Sequence, residues 1–504
     1  MSVVDFSIKR VNELIDSVWN AQKGEDCVWW QGEWWSWERL RALADDCEEK
    51  LRASGFSEGH RVAALLPNSP MVIALSIACW RLGGAIAPLN ARTGAVNLSD
   101  TIKMLDVHAV VLTADGCEKA AETGFLPGIP LVSAPLEGPL PAFRGRGGLA
   151  EAADIAVIFS TSGTSGLPKA VPCRHSNIIG NLSPVIEHVP SLISDDGVTL
   201  NVLPNFHTFG FTMTGMLSIV YGMKQALIPS FVPVDNTIRV IKEAGVNRII
   251  AVPTVMAFLL GALAKKNERL RGITHVITGG DRLNVQMDER SREYLGVGII
   301  EGYGLTECSP VVAVNRSEEA RKLGTVGQIF PGYQVEIRDR DGKPLDIHQE
   351  GVLWVKGPSV VSGYFRDEKN TKERFRDGWF NTGDVVRIDE EGYVKIVDRA
   401  TDIIIVSGFN VYPQEVEAVL CRHPAVSAAV AVGEKNKVAG ELVKAFIIVK
   451  DGAQLTAKEL TDYCRERLAH YKVPRKIGFV SEYPISPTGK ILRRELRKMK
   501  IEKD

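Results

Sequence analysis

Short apolar runs alternate with amphipathic segments from about residue 38 to residue 310. The segments 38–53 and 70–82 have the periodicity of helices, and the apolar runs between such segments are typical of buried strands. These runs lie at 62–66, 109–112, 199–203, 248–252 and 275–278. Strands alternating with helices predict an α/β fold of doubly wound, parallel sheets covered on both faces. Ligands of such sheets bind beyond the carboxyl ends of the strands.

The pattern changes in the last third of the chain. Short strands such as 335–338 and 352–356, separated by Gly, Pro and Asp turns, predict a β-rich subdomain at about 311–398 within a large N-terminal domain, 1–398. Residues 403–504 are expected to form a small α+β domain. Its predicted strands are 403–406, 426–432 and 443–449, and its predicted helices lie near 413–422 and 456–469.

The segment 27–37 is unusually rich in tryptophan. It contains Trp29, Trp30, Trp34, Trp35 and Trp37, and the Gln-Gly-Glu at 31–33 between them predicts a hairpin turn. Aromatic packing in the interior is the expected role of these side chains. A lipid-facing patch is the alternative.

Composition and charge limit the class of protein. Apolar residues make up 45% and charged residues 24% of the 504 residues, which is ordinary for a globular protein of at least two domains. The net charge of −1 gives no indication of nucleic-acid binding. Eight scattered cysteines, without metal-ligand spacing, indicate free thiols in a reducing compartment. Because no signal peptide is evident and the apolar runs 71–80 and 251–264 are shorter than the about 20 residues that span a bilayer, both runs are expected to be core helices of a cytoplasmic protein.

The strongest candidate for chemistry follows the apolar run 155–158. Residues 159–171 read FSTSGTSGLPKAV, so that glycines, hydroxyl donors and one full positive charge occur together. Successive amides in such a segment form an anion-binding nest, and a polyphosphate uses all three features. The segment is not a Walker A loop, because no Gly-Lys-Ser/Thr occurs, and the alternative is an ordinary surface loop. The predicted phosphate-binding residues are Thr161, Ser162, Gly163, Thr164, Ser165, Gly166 and Lys169.

This segment resembles the phosphate loop of the adenylate-forming superfamily, which includes acyl-CoA synthetases, aryl-CoA ligases, peptide-synthetase adenylation domains and beetle luciferases. Ala170 departs from the family, which usually has Gly there. Further motifs follow in the family's order along nearly the whole chain, and they are most similar to those of bacterial medium- and long-chain fatty acyl-CoA synthetases. The resemblance implies ATP, Mg²⁺ and CoA, the last as a co-substrate.

Two motifs are similar to those that form the family's acyl pocket. In residues 203–211, LPNFHTFGF, His207 corresponds to the residue that closes one end of the pocket, where amino-acid-activating relatives carry Asp. Since a buried ammonium would lack a carboxylate partner, an uncharged, apolar acyl tail is expected. In residues 278–281, TGGD, the backbone at Gly280 is expected to form one wall around the adenine and part of the acyl pocket. Asp281 either faces the ligand or packs a turn, and we favour the turn.

Residues 301–307, EGYGLTE, form the second strong motif. Glu301 begins it, and Tyr303 offers a ring face for adenine on a predicted turn with Gly302 and Gly304. Thr306 offers a hydroxyl to the α-phosphate. Glu307 supplies a hard oxygen for Mg²⁺, which binds proteins through one or two carboxylates plus phosphates.

The remaining motifs concern the ribose, the hinge and the small domain. Asp384 is expected to accept hydrogen bonds from both ribose hydroxyls, as acidic residues at the ends of strands do in dinucleotide sites. Arg399 is expected to add a hydrogen-bond donor. By resemblance, residues 399–402 form the hinge of a mobile small domain. Gly408 then faces the active site during thioester formation, and Lys490, in a Pro-Thr-Gly-Lys segment, is the adenylation lysine. A solvated basic face is the alternative for Lys490.

The predicted enzyme activates a fatty, apolar carboxylic acid with ATP to acyl-AMP and transfers the acyl group to a thiol, with CoA as the expected acceptor. An acyl carrier protein is the nearest alternative acceptor; an aryl-CoA ligase, a luciferase-like oxygenase and a non-catalytic binder are further alternatives. The non-catalytic binder is disfavoured because the charged motif residues are all present. The expected catalytic residues are Lys490, Thr306, Glu307, Lys169 and His207.

Overall fold

The structure is a computed structural model of the 504-residue chain. It describes residues 4–22, 24–93, 95–123, 126, 128–147, 151, 154–161, 169–281, 283–339, 341–400, 402–406, 409–436, 440–485 and 491–501.

The strands are β1 Asp26–Trp30, β2 Glu33–Ser36, β3 Arg61–Leu65, β4 Ala85–Pro88, β5 Ala109–Leu112, β6 Leu131–Ser133, β7 Ile155–Thr161, β8 Lys169–Arg174, β9 Val198–Asn201, β10 Lys224–Leu227, β11 Arg248–Ala251, β12 His275–Thr278, β13 Ile299–Gly304, β14 Val311–Val314, β15 Gln328–Ile329, β16 Gln334–Arg338, β17 Pro344–Leu345, β18 Gly351–Lys356, β19 Phe375–Arg376, β20 Trp379–Ile388, β21 Val394–Arg399, β22 Ile404–Val406, β23 Phe409–Val411, β24 Val426–Asn436, β25 Gly440–Val449 and β26 Lys476–Phe479. The α-helices are α1 Val11–Ala21, α2 Trp37–Ala53, α3 Pro70–Arg81, α4 Ala95–Leu105, α5 Ala114–Glu122, α6 His175–Leu182, α7 Val185–His188, α8 Leu217–Val220, α9 Val234–Glu243, α10 Pro253–Lys266, α11 Val285–Leu295, α12 Glu368–Arg374, α13 Pro413–Cys421, α14 Ala457–Arg465 and α15 Arg493–Lys498. A π-helix spans Phe209–Met216, and short 3₁₀ helices span Pro190–Leu192, Thr306–Cys308 and His470–Lys472.

The chain divides into two compact units, Met1–Gln334 with Val355–Phe380, and Val335–Trp354 with Asn381–Asp504. The first unit contains two sheets. One runs in the order β15-β14-β13-β12-β11-β9-β10-β1-β2 and the other in the order β6-β5-β3-β4-β7-β8. The sequential strands β3 to β5 and β9 to β13 pair in parallel, as predicted, while the pairs β7–β8 and β13–β14 are antiparallel. The predicted α/β class is therefore confirmed.

Helix α3 supports this unit from the inside. Pro70 occupies its first turn, where a missing N–H is tolerated, and every side chain from Met71 to Trp80 is buried. A helix that is apolar on all sides packs in the interior, as predicted for this run. The expectation of a second core helix at 251–264 is only half right. Helix α10 buries one face, and Phe258 on another face is 58% exposed.

The tryptophan-rich segment forms the β1–β2 hairpin and the start of α2. Trp30, Trp35 and Trp37 are at most 1% exposed, and the half-buried Trp29 and Trp34 make an edge-to-face contact of 5.5 Å. The predicted hairpin and its packing role are thus observed, with Gln31 and Gly32 at the turn in positive-φ conformations.

In the second unit, β17, β16, β18 and β20 are neighbours in that order, and β21 pairs with β20. A second sheet runs β23-β22-β25-β24, with β26 parallel to β25. Its apolar face packs against α13 and α14 through Val416, Leu420 and Leu460. The helix predicted at 456–469 ends earlier, at Arg465. The β-rich and α+β patterns are observed, while the proposed domain boundaries and hinge stay predictions, and Thr401 lies outside the described residues.

All eight cysteines are free thiols, as expected. Among the described residues, no helix combines the length and the apolar character needed to cross a bilayer.

Candidate active site

The predicted phosphate-binding segment joins β7 to β8. These strands form an antiparallel hairpin in which Thr161 lies opposite Lys169, and the Thr161 hydroxyl donates to the Lys169 carbonyl at 3.4 Å. The segment therefore follows the carboxyl end of a buried strand, where the sequence predicted a ligand. The predicted residues Ser162, Gly163, Thr164, Ser165 and Gly166 themselves lie outside the described residues.

Lys169 and Glu307, predicted from separate motifs, meet at one further side chain, Tyr364. The Tyr364 hydroxyl donates a hydrogen bond of 2.8 Å to Glu307 Oε1. The Lys169 Nζ lies 4.8 Å from the centroid of the same ring, within the range of a cation–π contact. The structure thus places two of the predicted phosphate- and metal-facing charges on either side of one tyrosine.

Glu307 is positioned by the backbone on both sides of it. It belongs to the 3₁₀ helix Thr306–Cys308, which follows β13. The Glu307 carbonyl accepts the Val361 N–H at 2.9 Å, and the Ser309 hydroxyl donates to the buried Cys173 sulfur on β8 at 3.5 Å. Thr306 and Glu307 are therefore held against the strand that begins with Lys169.

The electrostatics of this cluster follow from its burial. Burial lowers the pKa of Lys169, with a further contribution from Arg374 that the neighbouring Glu307 opposes. Burial, followed by the charge of Glu307, raises the pKa of Tyr364, so its hydroxyl stays protonated and remains a donor.

The residues present fit a magnesium ion held mainly by phosphates. Among the described residues no cluster of three or more His, Cys, Asp or Glu side chains could hold a metal on its own. Glu307 donates one carboxylate, and Mg²⁺ commonly uses one or two carboxylates together with substrate phosphates and water.

The Gly-Tyr-Gly segment was expected to form a turn. It forms instead the second half of β13. Glu301 pairs with β12, and Gly302, Tyr303 and Gly304 pair with β14. Glycine at 304 permits the close pairing with β14, since a Cβ there would be 2.1 Å from the Pro310 carbonyl oxygen. The strand presents Tyr303 as a half-buried ring.

The ends of β12 and β13 lie close together. A Cβ added at Gly279 would approach the Gly302 carbonyl oxygen at 3.0 Å and the Phe209 ring at 3.6 Å. Gly280 adopts φ +86°, which side chains rarely tolerate, and Asp281 is exposed. Glycines let the expected adenine wall and the Phe209 segment approach each other.

His207 lies just after β9 and immediately before the π-helix. Its ring Nδ1 accepts the Phe209 N–H at 3.3 Å, which ties the histidine to the segment that packs near Gly279. π-Helical segments are rare and are often found at functional sites. The sequence predicted a functional histidine here but not the π-helix.

A small cavity lies beside the π-helix and is lined by Asn68, Ser69, Val72, Ile73, Asn201, Asn205, Gly210, Phe211, Gly215, Met216 and Leu227. It is not uniformly apolar, because three asparagines contribute to its wall. Most of their polar atoms are hydrogen-bonded, for example Asn68 Nδ2 to the Leu203 carbonyl at 2.8 Å. Asn205 is 7% exposed, and its Oδ1 has no hydrogen-bond partner among the described residues.

Comparison with known proteins shows the family. The family model described as AMP-binding enzyme matches residues 15–365, and that described as AMP-binding enzyme C-terminal domain matches residues 415–490. The chain belongs to the AMP-binding enzyme family. The predicted adenylate-forming superfamily is thereby confirmed, and so is the expectation of an enzyme.

Three proteins are similar to this family member over most of its length. A long-chain-fatty-acid–CoA ligase of Haemophilus influenzae is 37% identical over 69% of this chain, and the match spans 63% of that enzyme, less than two thirds of its length. A feruloyl-CoA synthase of an Amycolatopsis species is 32% identical over 89% of this chain and 90% of the relative. ATP-bound MatB from Rhodopseudomonas palustris is 28% identical, with a TM-score of 0.85 over 97% of this chain and 98% of that structure.

In this family member, the predicted ribose-binding pair lies in the second unit. Asp384 is in the middle of β20 rather than at a strand end, and its side chain is 2% exposed. Its Oδ1 forms an ion pair with Arg399 Nε at 2.6 Å, because the two residues are directly opposite in the β20–β21 pair. The structure therefore brings these two together. Gly408 and Lys490 lie outside the described residues.

The residue that sequence reasoning missed is Tyr364. The only local signal is the Ser-Gly-Tyr-Phe at 362–365, in a region treated as a β-rich subdomain without chemistry. Its partner Glu307 is 57 residues away in the chain, so no local pattern relates the two.

Proposed function

We propose that this enzyme is a fatty acid–CoA ligase, which activates an apolar carboxylic acid with ATP to acyl-AMP and transfers the acyl group to CoA. The observation that carries the proposal is the convergence of Lys169 and Glu307 at Tyr364, beside the hairpin that holds the phosphate-binding segment. The fatty-acid assignment is supported by the absence of an acidic residue at His207 and by the similarity to the Haemophilus influenzae ligase.

The first half-reaction needs charge stabilisation more than acid–base catalysis. The acid's carboxylate attacks the α-phosphorus of ATP, and pyrophosphate leaves. Lys169 and the amides of the phosphate-binding segment bind the negative oxygens, with Thr306 as a hydroxyl donor to the α-phosphate. Glu307 would hold Mg²⁺, which would supply positive charge beside the phosphates. Tyr303 stacks on the adenine, and Gly280, Glu301, Gly302 and Gly304 shape the wall around it.

In the second half-reaction a thiol attacks the acyl carbon of acyl-AMP, the thioester bond forms, and AMP leaves. We propose that residues 403–504 rotate about a hinge at 399–402, so that Lys490 serves adenylation and the segment at Gly408 serves thioester formation. Asp384 binds the ribose hydroxyls, and its ion pair with Arg399 fixes its orientation. CoA is the proposed acceptor, an acyl carrier protein is the alternative, and the cytoplasm is the proposed compartment.

One observation favours a second candidate, an aryl-CoA ligase. The cavity beside the π-helix has three asparagines in its wall, and the unpartnered Asn205 Oδ1 suits an acid whose far end donates a hydrogen bond. The feruloyl-CoA synthase relative is consistent with such a substrate.

Acid-dependent ATP–pyrophosphate exchange over a panel of acids tests the assignment. Saturated fatty acids should give a higher kcat/KM than any amino acid, and the acyl group should then be transferred to CoA in preference to an acyl carrier protein. Preference for hydroxylated arylpropenoic acids over fatty acids would select the aryl-CoA ligase. An amino acid as the best substrate would refute both.

A further inference from the structure

The proposed mechanism uses two charged residues of the first unit, Lys169 for the phosphates and Glu307 for the metal, and Tyr364 contacts both of them. Its hydroxyl donates to Glu307 Oε1 at 2.8 Å, and its ring centroid lies 4.8 Å from Lys169 Nζ. Tyr364 is only 7% exposed, so neither contact is a surface encounter between mobile side chains. A buried hydrogen bond to a charged group is stronger than one between neutral groups, and it fixes the orientation of both partners.

The backbone around Tyr364 is itself fixed to the elements that carry those two charges. The Phe365 N–H donates to the carbonyl of Ala170, the residue next to Lys169, at 2.8 Å. The Tyr364 N–H donates to the Thr371 hydroxyl at 2.9 Å, and the ring packs edge-on to Phe375 at 5.5 Å. The tyrosine therefore has one defined position relative to β8 and to the 3₁₀ helix of Glu307.

The hydrogen bond leaves Glu307 able to act as a ligand. It uses Oε1, and no hydrogen bond to Oε2 is present in the described part of the chain. Residues that orient a metal-binding carboxylate in this way commonly change metal affinity by about 10- to 100-fold when they are replaced.

We propose that Tyr364 is a positioning residue for adenylation: its hydroxyl holds Glu307 in the orientation that binds Mg²⁺ on the ATP phosphates. This inference rests on the proposed function, since it needs Glu307 as the metal-binding carboxylate. Tyr364 takes no part in bond making or breaking, so its contribution appears in metal-dependent nucleotide binding rather than in a proton transfer.

The test compares the binding of α,β-methylene-ATP, a non-reactive analogue, in Mg²⁺ and in EDTA by isothermal titration calorimetry. Tyr364→Phe removes the hydroxyl and keeps the ring against Lys169 and Phe375. We expect its Kd in Mg²⁺ to rise about tenfold, which corresponds to about 1.4 kcal/mol, with the Kd in EDTA unchanged within about twofold. The matched control is Tyr221→Phe, which also removes a buried hydroxyl, bonded to the Leu182 carbonyl at 2.9 Å, and should shift neither value.

A double-mutant cycle with Glu307→Gln separates the inference from the proposed function. Glu307→Gln should remove most of the Mg²⁺-dependent gain in affinity. Tyr364→Phe should add little on that background, because both changes act on the same interaction, the binding of Mg²⁺ by the Glu307 carboxylate. If Glu307→Gln has no effect, the metal role in the proposed function fails, and this inference fails with it. If Glu307→Gln weakens binding but Tyr364→Phe does not, or weakens it equally in EDTA, only the role of Tyr364 is overturned. Thermal melts of all variants confirm that folded proteins are compared.

Discussion

Gly304→Ala tests whether the Gly-Tyr-Gly strand requires glycine for packing. A Cβ at this position would lie 2.1 Å from the Pro310 carbonyl oxygen, 2.8 Å from its carbonyl carbon and 3.2 Å from Val311 Cα. All three neighbours are backbone atoms, so relief requires movement of β14 relative to β13 rather than a change of rotamer. Overpacking typically costs about 1–3 kcal/mol, and we expect the upper end here, about 3 kcal/mol, because the clash is with backbone.

Gly302→Ala is the matched control in the same motif. Its added Cβ would lie 3.3 Å from Val314 Cγ2, a side-chain atom that can shift by a few tenths of an ångström, and 3.4 Å from the Ala313 carbonyl oxygen, an ordinary van der Waals distance. We therefore expect Gly302→Ala to cost less than about 1 kcal/mol in folding stability.

The assay is thermal unfolding of both variants beside the wild type, followed by ATP–pyrophosphate exchange. We expect Gly304→Ala to lower Tm by about 6–12 °C, since about 1 kcal/mol corresponds to roughly 2–4 °C in domains of 150–250 residues. It should also lose exchange activity, because Thr306 and Glu307 follow directly on the displaced strand. Equal Tm values for the two variants would refute the steric argument, and with it the placement of Gly304 against Pro310.

Two further predictions concern the second unit and the small domain. Lys490→Ala should abolish most acyl-adenylate formation while sparing thioester formation from supplied acyl-adenylate; equal loss of both half-reactions would contradict the use of Lys490 in one conformation only. Burial raises the pKa of Asp398 from 3.8 to about 6, partly offset by the Arg399 and Gln414 N–H groups that it accepts. The native state therefore holds a proton that the unfolded chain releases, and Asp398 lowers stability progressively as pH rises from about 4 to 6. The difference in Tm between Asp398→Asn and the wild type should grow in favour of the variant over that range in differential scanning calorimetry, and a pH-independent difference would exclude this effect.

Elements with strong local signals could be predicted from the sequence. Strands β5 and β12 occupy the residues expected of them, because short apolar runs bounded by polar residues require no tertiary information to recognise. The apolar run 155–158 was expected to be a buried strand, and it lies within β7. The phosphate-binding segment that ends at Lys169 and the Glu307 motif were singled out because their residue types are unusual for ordinary surface loops. These features depend on composition at adjacent positions.

Features that depend on distant contacts could not be predicted. The Gly-Tyr-Gly segment has the composition of a turn, and only pairing with β12 and β14 makes it a strand. Phe209–Met216 contains two glycines and two threonines, which favour no helix, and nothing local predicts a π-helix. Tyr364 is positioned by Ala170 and Thr371, which belong to other elements, so its role follows only from the folded chain.

A neutral residue between Lys169 and Glu307 has a physical advantage over direct contact. In the described part of the chain these two side chains form no ion pair within 4 Å, although both approach Tyr364. A direct ion pair would satisfy each charge with the other, and the phosphates and the metal would then have to displace it. Tyrosine instead donates a hydrogen bond to the carboxylate and presents an electron-rich face to the ammonium, so it orients both groups without neutralising either. In the proposed mechanism, Glu307 thus keeps its negative charge for Mg²⁺ and Lys169 its positive charge for phosphate oxygens.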